Sequence, residues 1–159
     1  MLWHGNKGSR KQTVFYLHGS LFFHQDDEYF IKQERGEDIN LLSIVANSII
    51  SHKAMPLIVL EGNSRNKVSK ICEHAYLNDA FDHLGKLSGD LFIFGHSLSS
   101  TDDHILNKIK EGGFEKIFIS VFDENMKDEI ISRAHDVFDR SNRDRRIFLY
   151  RASSANVWG

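Results

Sequence analysis

The stretch FIFGHSLSSTDDHI, Phe92 to Ile105, decides how this sequence is read. Phe92–Phe94 closes an apolar run that reads as a strand. Gly95 to Ser99 forms a Gly-x-Ser-x-Ser turn, and the residues from Ser100 open a helix. Ser100 and Asp103 have capping-box spacing ahead of Ile105, Leu106 and Ile109, and Gly112-Gly113 stops that helix. The order strand, small-residue turn, helix poses one question about Ser97. It is a nucleophile on an elbow, a ligand for a phosphate or ribose, or a turn residue.

Outward from this stretch, the chain alternates short apolar runs with helix-period segments. TVFYL (13–17), PLIVL (56–60), DLFIF (90–94), KIFISVF (116–122) and RIFLY (146–150) read as strands. They are mostly continuous rather than alternating, as expected of strands covered on both faces of a parallel sheet. Pro56 stands at the start of its run, where a missing amide donor is tolerable.

Ile39, Leu42, Ala46 and Ile49 share one face of a first helix that ends near His52 and Lys53. Asn63 or Ser64 caps the next segment, whose stripe Val68, Ile71, Cys72 and Ala75 is followed by a second stripe, Leu77, Ala80, Phe81 and Leu84. The change of stripe predicts two helices with a break near Tyr76. Ile130, Ala134 and Val137 mark the last helix. Residues 20–36 show no clear period and read as a loop over the carboxyl edge of the sheet. The expectation is one α/β domain over residues 1–159, Rossmann-like, with a mainly parallel sheet of about five strands and flanking helices.

Composition narrows the function classes. The 159 residues are 41% hydrophobic and 26% charged, with a net charge of −2, which suits a soluble globular protein rather than a polyanion binder. The basic cluster RSNRDRR (140–146) has no interleaved aromatics, so nucleic acid is not an expected partner. Cys72 is the single cysteine, which excludes an intrachain disulfide and a cysteine-based zinc site. No apolar run approaches the ~20 residues of a membrane span, and the N-terminus has no secretory signature. A cytoplasmic location is expected.

Ligands of open parallel sheets bind at the carboxyl ends of the strands. Three polar loops fall at such ends in this reading: LHGS with His18 and Gly19, EGNS with Glu61 and Ser64, and GHSLSSTD with Gly95, His96, Ser97 and Asp102. Gly95 lets backbone approach a phosphate, Ser97 offers a hydroxyl, and the amides opening the next helix face an anion. Asp102 suits the helix dipole and can accept a ribose hydroxyl. His18 has the imidazole of a general base near neutral pH. Each residue also has a plain structural reading. Asp102 can start a helix, Ser97 can make a turn, His18 can sit hydrogen-bonded beneath a loop, and Glu61 can close a turn.

GHSLS also resembles the nucleophile elbow of α/β-hydrolases, and LHGS their His-Gly oxyanion segment. That family needs a histidine on a loop after the nucleophile. The later histidines, His104 and His135, lie inside expected helices, and the terminal RASSANVWG has none. A serine esterase using Ser97 is therefore the weakest of the readings.

LHGS, PLIVLEG and DLFIFGHSL together look like the second half of a sirtuin-like Rossmann domain. That resemblance implies NAD or ADP-ribose binding, with His18 as the base beside the nicotinamide ribose. Gly95, His96, Ser97 and Leu98 would then occupy the dinucleotide-holding turn, where His96 departs from the family's threonine. The four-cysteine zinc module of sirtuins is absent. A second resemblance covers nearly the whole chain. YLHG, PLIVLEGNSRNK, the AYL at 75–77, FGHSL with Asp102, His104 and Ile105, and the terminal ASSANVW are similar to an uncharacterised bacterial family, domain of unknown function 4917. It brings no activity with it, and a non-catalytic nucleotide-sensing or scaffold module stands as the alternative to an NAD-cleaving enzyme.

A dinucleotide fold of this kind carries a glycine-rich strand–helix turn ahead of LHGS, and only residues 1–12 precede TVFYL. HGNKGS (4–9) follows no strand. The chain is therefore expected to resemble the C-terminal half of a larger domain, inactive alone. TVFYL would be an unprotected edge strand, and half of the helical cover would be missing. Such a chain would form a homodimer or rely on a partner chain that supplies the lost half.

Overall fold

The computed structural model describes residues 14–25, 30–32, 40–52, 55–60, 62–138 and 145–157. Two compact units divide the chain. One falls within Met1–Glu61 and Ser69–Ala80, the other within Gly62–Val68 and Phe81–Gly159.

The first unit carries an antiparallel sheet of three strands in the order β2-β1-β3: β1 Gly19–Gln25, β2 Phe30–Lys32 and β3 Met55–Ile58. Two expectations are corrected here. The run TVFYL is not a strand over its described residues. Its backbone is spent on a turn, in which Gly19 N–H donates to the Tyr16 carbonyl (3.0 Å) and Tyr16 N–H donates to the Tyr76 hydroxyl (3.1 Å). The segment expected to be a loop from Ser20 instead supplies β1 and β2. The strand-forming Leu21, Phe22 and Phe23 win there, because Phe23 is buried and stacks edge-on against both Tyr16 and Tyr76.

β1 has a neighbour on each side, so the expected naked edge at TVFYL does not exist. α1 spans Leu41–His52. Of its expected core face, Leu42 and Ile49 are exposed, Ile39 lies outside the described residues, and Ser48 is buried instead.

The second unit holds a parallel sheet in the order β4-β5-β6: Ser88–Ile93, Gly113–Val121 and Arg146–Arg151. Three of the five expected runs thus form a parallel sheet. PLIVL pairs antiparallel with β1 in the other unit, and the expected single five-stranded sheet is not what the described residues show.

α4 (Asp103–Glu111) and α5 (Lys127–Phe138) follow β4 and β5, and both pack on one face of this sheet. Leu106 and Ile109 of α4 and Ile130, Ala134, Val137 and Phe138 of α5 cover Ile117 and Ile119 of β5. Leu91, Ile93, Ile147 and Leu149 flank them. Each fully buried aliphatic side chain here contributes about 1.5–3 kcal/mol. Arg145 ties the C-terminus of α4 to the start of β6 by donating to the carbonyls of Lys110 (2.6 Å) and Gly112 (2.8 Å), which the helix leaves unpaired. The expected stop at Gly112-Gly113 is observed.

α2 (Ser64–Cys72) and α3 (Ala75–Leu84) are the two helices expected from the change of stripe, and the break lies at Glu73–His74. Asn63 caps α2, its Oδ1 accepting from Asn66 N–H at 3.0 Å. No described helix is long and apolar enough to cross a membrane.

Candidate functional site

β4 ends at Ile93, and the chain turns through Phe94–Ser99 before a short 3-10 helix, Ser100–Asp102, leads into α4. Two residues of this turn have left-handed backbone, Gly95 (φ 68°) and Leu98 (φ 57°). Glycine meets that requirement freely, whereas a leucine there costs on the order of 1–2 kcal/mol. The neighbours hold both residues in place. Gly95 N–H donates to the buried hydroxyl of Ser120 on β5 (3.0 Å). The Leu98 side chain is fully buried in the core beneath the turn.

Both polar groups of Leu98 are fixed by side chains. Its N–H donates to His96 Nδ1 (2.8 Å), and its carbonyl accepts from Arg133 Nε of α5 (2.9 Å). Arg133 also pairs with Asp103 at the start of α4. The expected capping box from Ser100 to Asp103 does not form. The cap shifts one residue back, where Ser99 Oγ accepts from Thr101 N–H (3.3 Å) and opens the 3-10 turn instead.

Asp102 makes no cap bond with its side chain. Its carboxylate meets Lys67 Nζ from α2 at 2.7 Å and lies 3.4 Å from His96 Nε2. The two ring nitrogens of His96 therefore do different work. Nδ1 accepts from the backbone, so the neutral ring carries its proton on Nε2, directed at Asp102. No lone pair of that ring is left for taking a proton from Ser97. Ser97 itself is exposed, and among the described non-glycine residues the strained φ belongs to Leu98. A nucleophile elbow places its strain at the serine.

The expected site residues thus part company. Gly95, His96, Ser97 and Asp102 share this one turn, and Ser64 opens α2, the helix that brings Lys67. His18 and Gly19 belong to the first unit, at the start of β1 rather than after a strand. There the His18 carbonyl accepts from Val59 N–H (2.8 Å). Gly19 has φ 77°, and a Cβ on it would collide with the Leu57 carbonyl oxygen, which explains the glycine on structural grounds. Glu61 lies outside the described residues.

Lys67 and Arg133 were not singled out from the sequence, yet a signal was there. Lys67 stands four residues before Ile71, and Arg133 three after Ile130 and four before Val137. Both cations are therefore placed on or beside a buried stripe, where a charge needs a partner.

The sequence profile of a family described as Domain of unknown function (DUF4917) matches residues 3–158. The chain belongs to that family. No curated protein and no solved structure matches it.

Proposed function

We propose that the Gly95–Asp102 turn binds a phosphorylated nucleotide of the NAD or ADP-ribose type. One observation carries this reading: a left-handed turn at the carboxyl end of a parallel strand, facing a helix start, with the Lys67–Asp102 pair beside it. The ammonium of Lys67 and the backbone amides ahead of α4 suit a phosphate, and the Asp102 carboxylate suits a ribose diol. No atom lies within 4 Å of a Cβ built on Gly95, so there is open space for a ligand to approach the backbone. The turn belongs to a partial Rossmann-like layer in this reading, and the sirtuin-like resemblance adds His18 as the base for NAD cleavage.

The non-catalytic alternative gains support from His96, both of whose ring nitrogens are already engaged. The turn is then a binding or sensing element that carries no general base of its own. A serine esterase using Ser97 has neither an activated hydroxyl nor a base in this turn.

Titration calorimetry with ADP-ribose and with NAD tests binding. Saturable binding lost in Lys67→Met supports the reading, and absence of heat for both ligands up to about 1 mM overturns it. Nicotinamide release from NAD, abolished in His18→Ala, separates the enzyme from the sensor.

A further inference from the structure

Among the described residues, α4 and α5 cover one face of the parallel sheet. On the other, three phenylalanines from three strands stand in register, Phe92 beside Phe118 and Phe118 beside Phe148. Their rings stack face to face, with centroids 4.5 and 4.9 Å apart and interplanar angles of 7° and 16°. Phe92 is 65% exposed and Phe148 40%. Two residues towards the amino ends, the same face carries a charged row, Asp90, Lys116 and Arg146, also in register. Lys116 reaches Asp90 at 3.5 Å, and Arg146 at the far strand is exposed.

A parallel sheet normally has both faces covered, and an exposed apolar patch with a polar rim marks an interaction surface. The ring geometry narrows the occupant. Each phenyl face is turned towards its neighbour in the ladder, so the ladder presents ring edges outward. A base-stacking platform needs exposed ring faces, which argues against a nucleic acid. The charged row runs from negative on β4 to positive on β6, and that polarity is self-complementary under a two-fold rotation.

We propose that this face is the contact between two copies of the chain, related by a dyad running along β5. That operation lays Phe92 against Phe148 of the partner subunit and Phe118 against itself, edges interleaved. It brings Asp90 opposite Arg146 of the partner subunit, twice, at the rim. Such a contact is isologous and closes at two copies. Edge-on aromatic packing adds to what the buried area alone contributes.

Analytical ultracentrifugation of the 159-residue chain under reducing conditions tests it, because Cys72 is an exposed thiol. The expected result is a reversible dimer, at least half formed at about 100 µM. Phe118→Lys should shift it to monomer. Asp90→Arg and Arg146→Asp should each weaken dimerisation about tenfold or more, and the double exchange should restore it. That restoration is specific to this geometry, and circular dichroism confirms that each surface variant folds. A monomer at that concentration overturns the proposal and points to an apolar helix of a different protein as the occupant. A dimer indifferent to the charge exchanges overturns it as well.

Discussion

Lys67 Nζ lies 2.7 Å from Asp102 Oδ1, with only 10% of the lysine side chain and 23% of the aspartate exposed. Asp102→Asn removes the charge that compensates a nearly buried ammonium, and should destabilise the second unit by about 2 kcal/mol. Lys67→Met on the same background should recover most of that loss, since the unpaired cation is gone. Urea denaturation of the wild type, both single variants and the double variant checks this. Two additive losses would mean the pair is not coupled.

A reversal of the usual helix-scale order is expected at Leu98. Leu98→Ala loses a fully buried side chain and should cost about 2–4 kcal/mol. Glycine ordinarily costs about 1 kcal/mol more than alanine, but at φ 57° it releases strain that alanine keeps. Leu98→Gly should therefore be no less stable than Leu98→Ala. Thermal melts of the two variants side by side decide the point.

Two left-handed glycines should respond differently to the same change. At Gly19 an added methyl meets the Leu57 backbone, so Gly19→Ala should disrupt the β1–β3 pairing and cost more than about 3 kcal/mol. At Gly95 the added methyl meets nothing within 4 Å, and the cost should be only the backbone term of about 1 kcal/mol. Under the proposed function, Gly95→Ala should still weaken ADP-ribose binding. Stability and calorimetry on both variants test the contrast.

His24, in the middle of β1, gives the first unit a pH dependence. It is 2% exposed, both ring nitrogens are shut off from solvent, and this burial lowers its pKa below 6.5, opposed by the Phe22 backbone. The unfolded chain then binds a proton that the folded chain does not. Its contribution is fully present above pH 6.5 and is lost as the pH falls towards the lowered folded value. The slope in that window approaches about 1.4 kcal/mol per pH unit. His24→Leu should flatten stability against pH below 6.5. An unchanged profile would show that other groups set it.

The second unit was largely legible in the sequence. DLFIF, KIFISVF and RIFLY are continuous apolar runs with amphipathic segments between them, and each formed the expected parallel strand. Ile130, Ala134 and Val137 are buried as their spacing requires. The first unit was not, for a local reason. TVFYL and SLFF are adjacent apolar runs around a single glycine, and the residue pattern alone does not say which one pairs. What decides it is Gly19, whose left-handed backbone and contact with Leu57 end the turn and start the strand. At the site, Gly95 and Asp102 could be read from the turn. Lys67, the partner of Asp102, and Arg133, the partner of Leu98, each sit 35 residues away along the chain, a separation at which side-chain pairing leaves no periodic trace.

The strand registers also set an order of events for folding. β4 to β5 and β5 to β6 each close roughly 25–30 residues of chain, and a helix shortens each of those segments. β1 to β3 closes roughly 30 residues at Gln25–Met55 but nearly 40 at Gly19–Ile58, beyond a bulge. Completing the β1–β3 ladder needs the longest of these closures, so the β4–β5–β6 layer should be complete before it. Amides of Ile117 and Ile119 should then gain protection in pulse-labelled hydrogen exchange before those of β3. The strands flanking the Gly95–Asp102 turn would be in place while the other unit is still assembling.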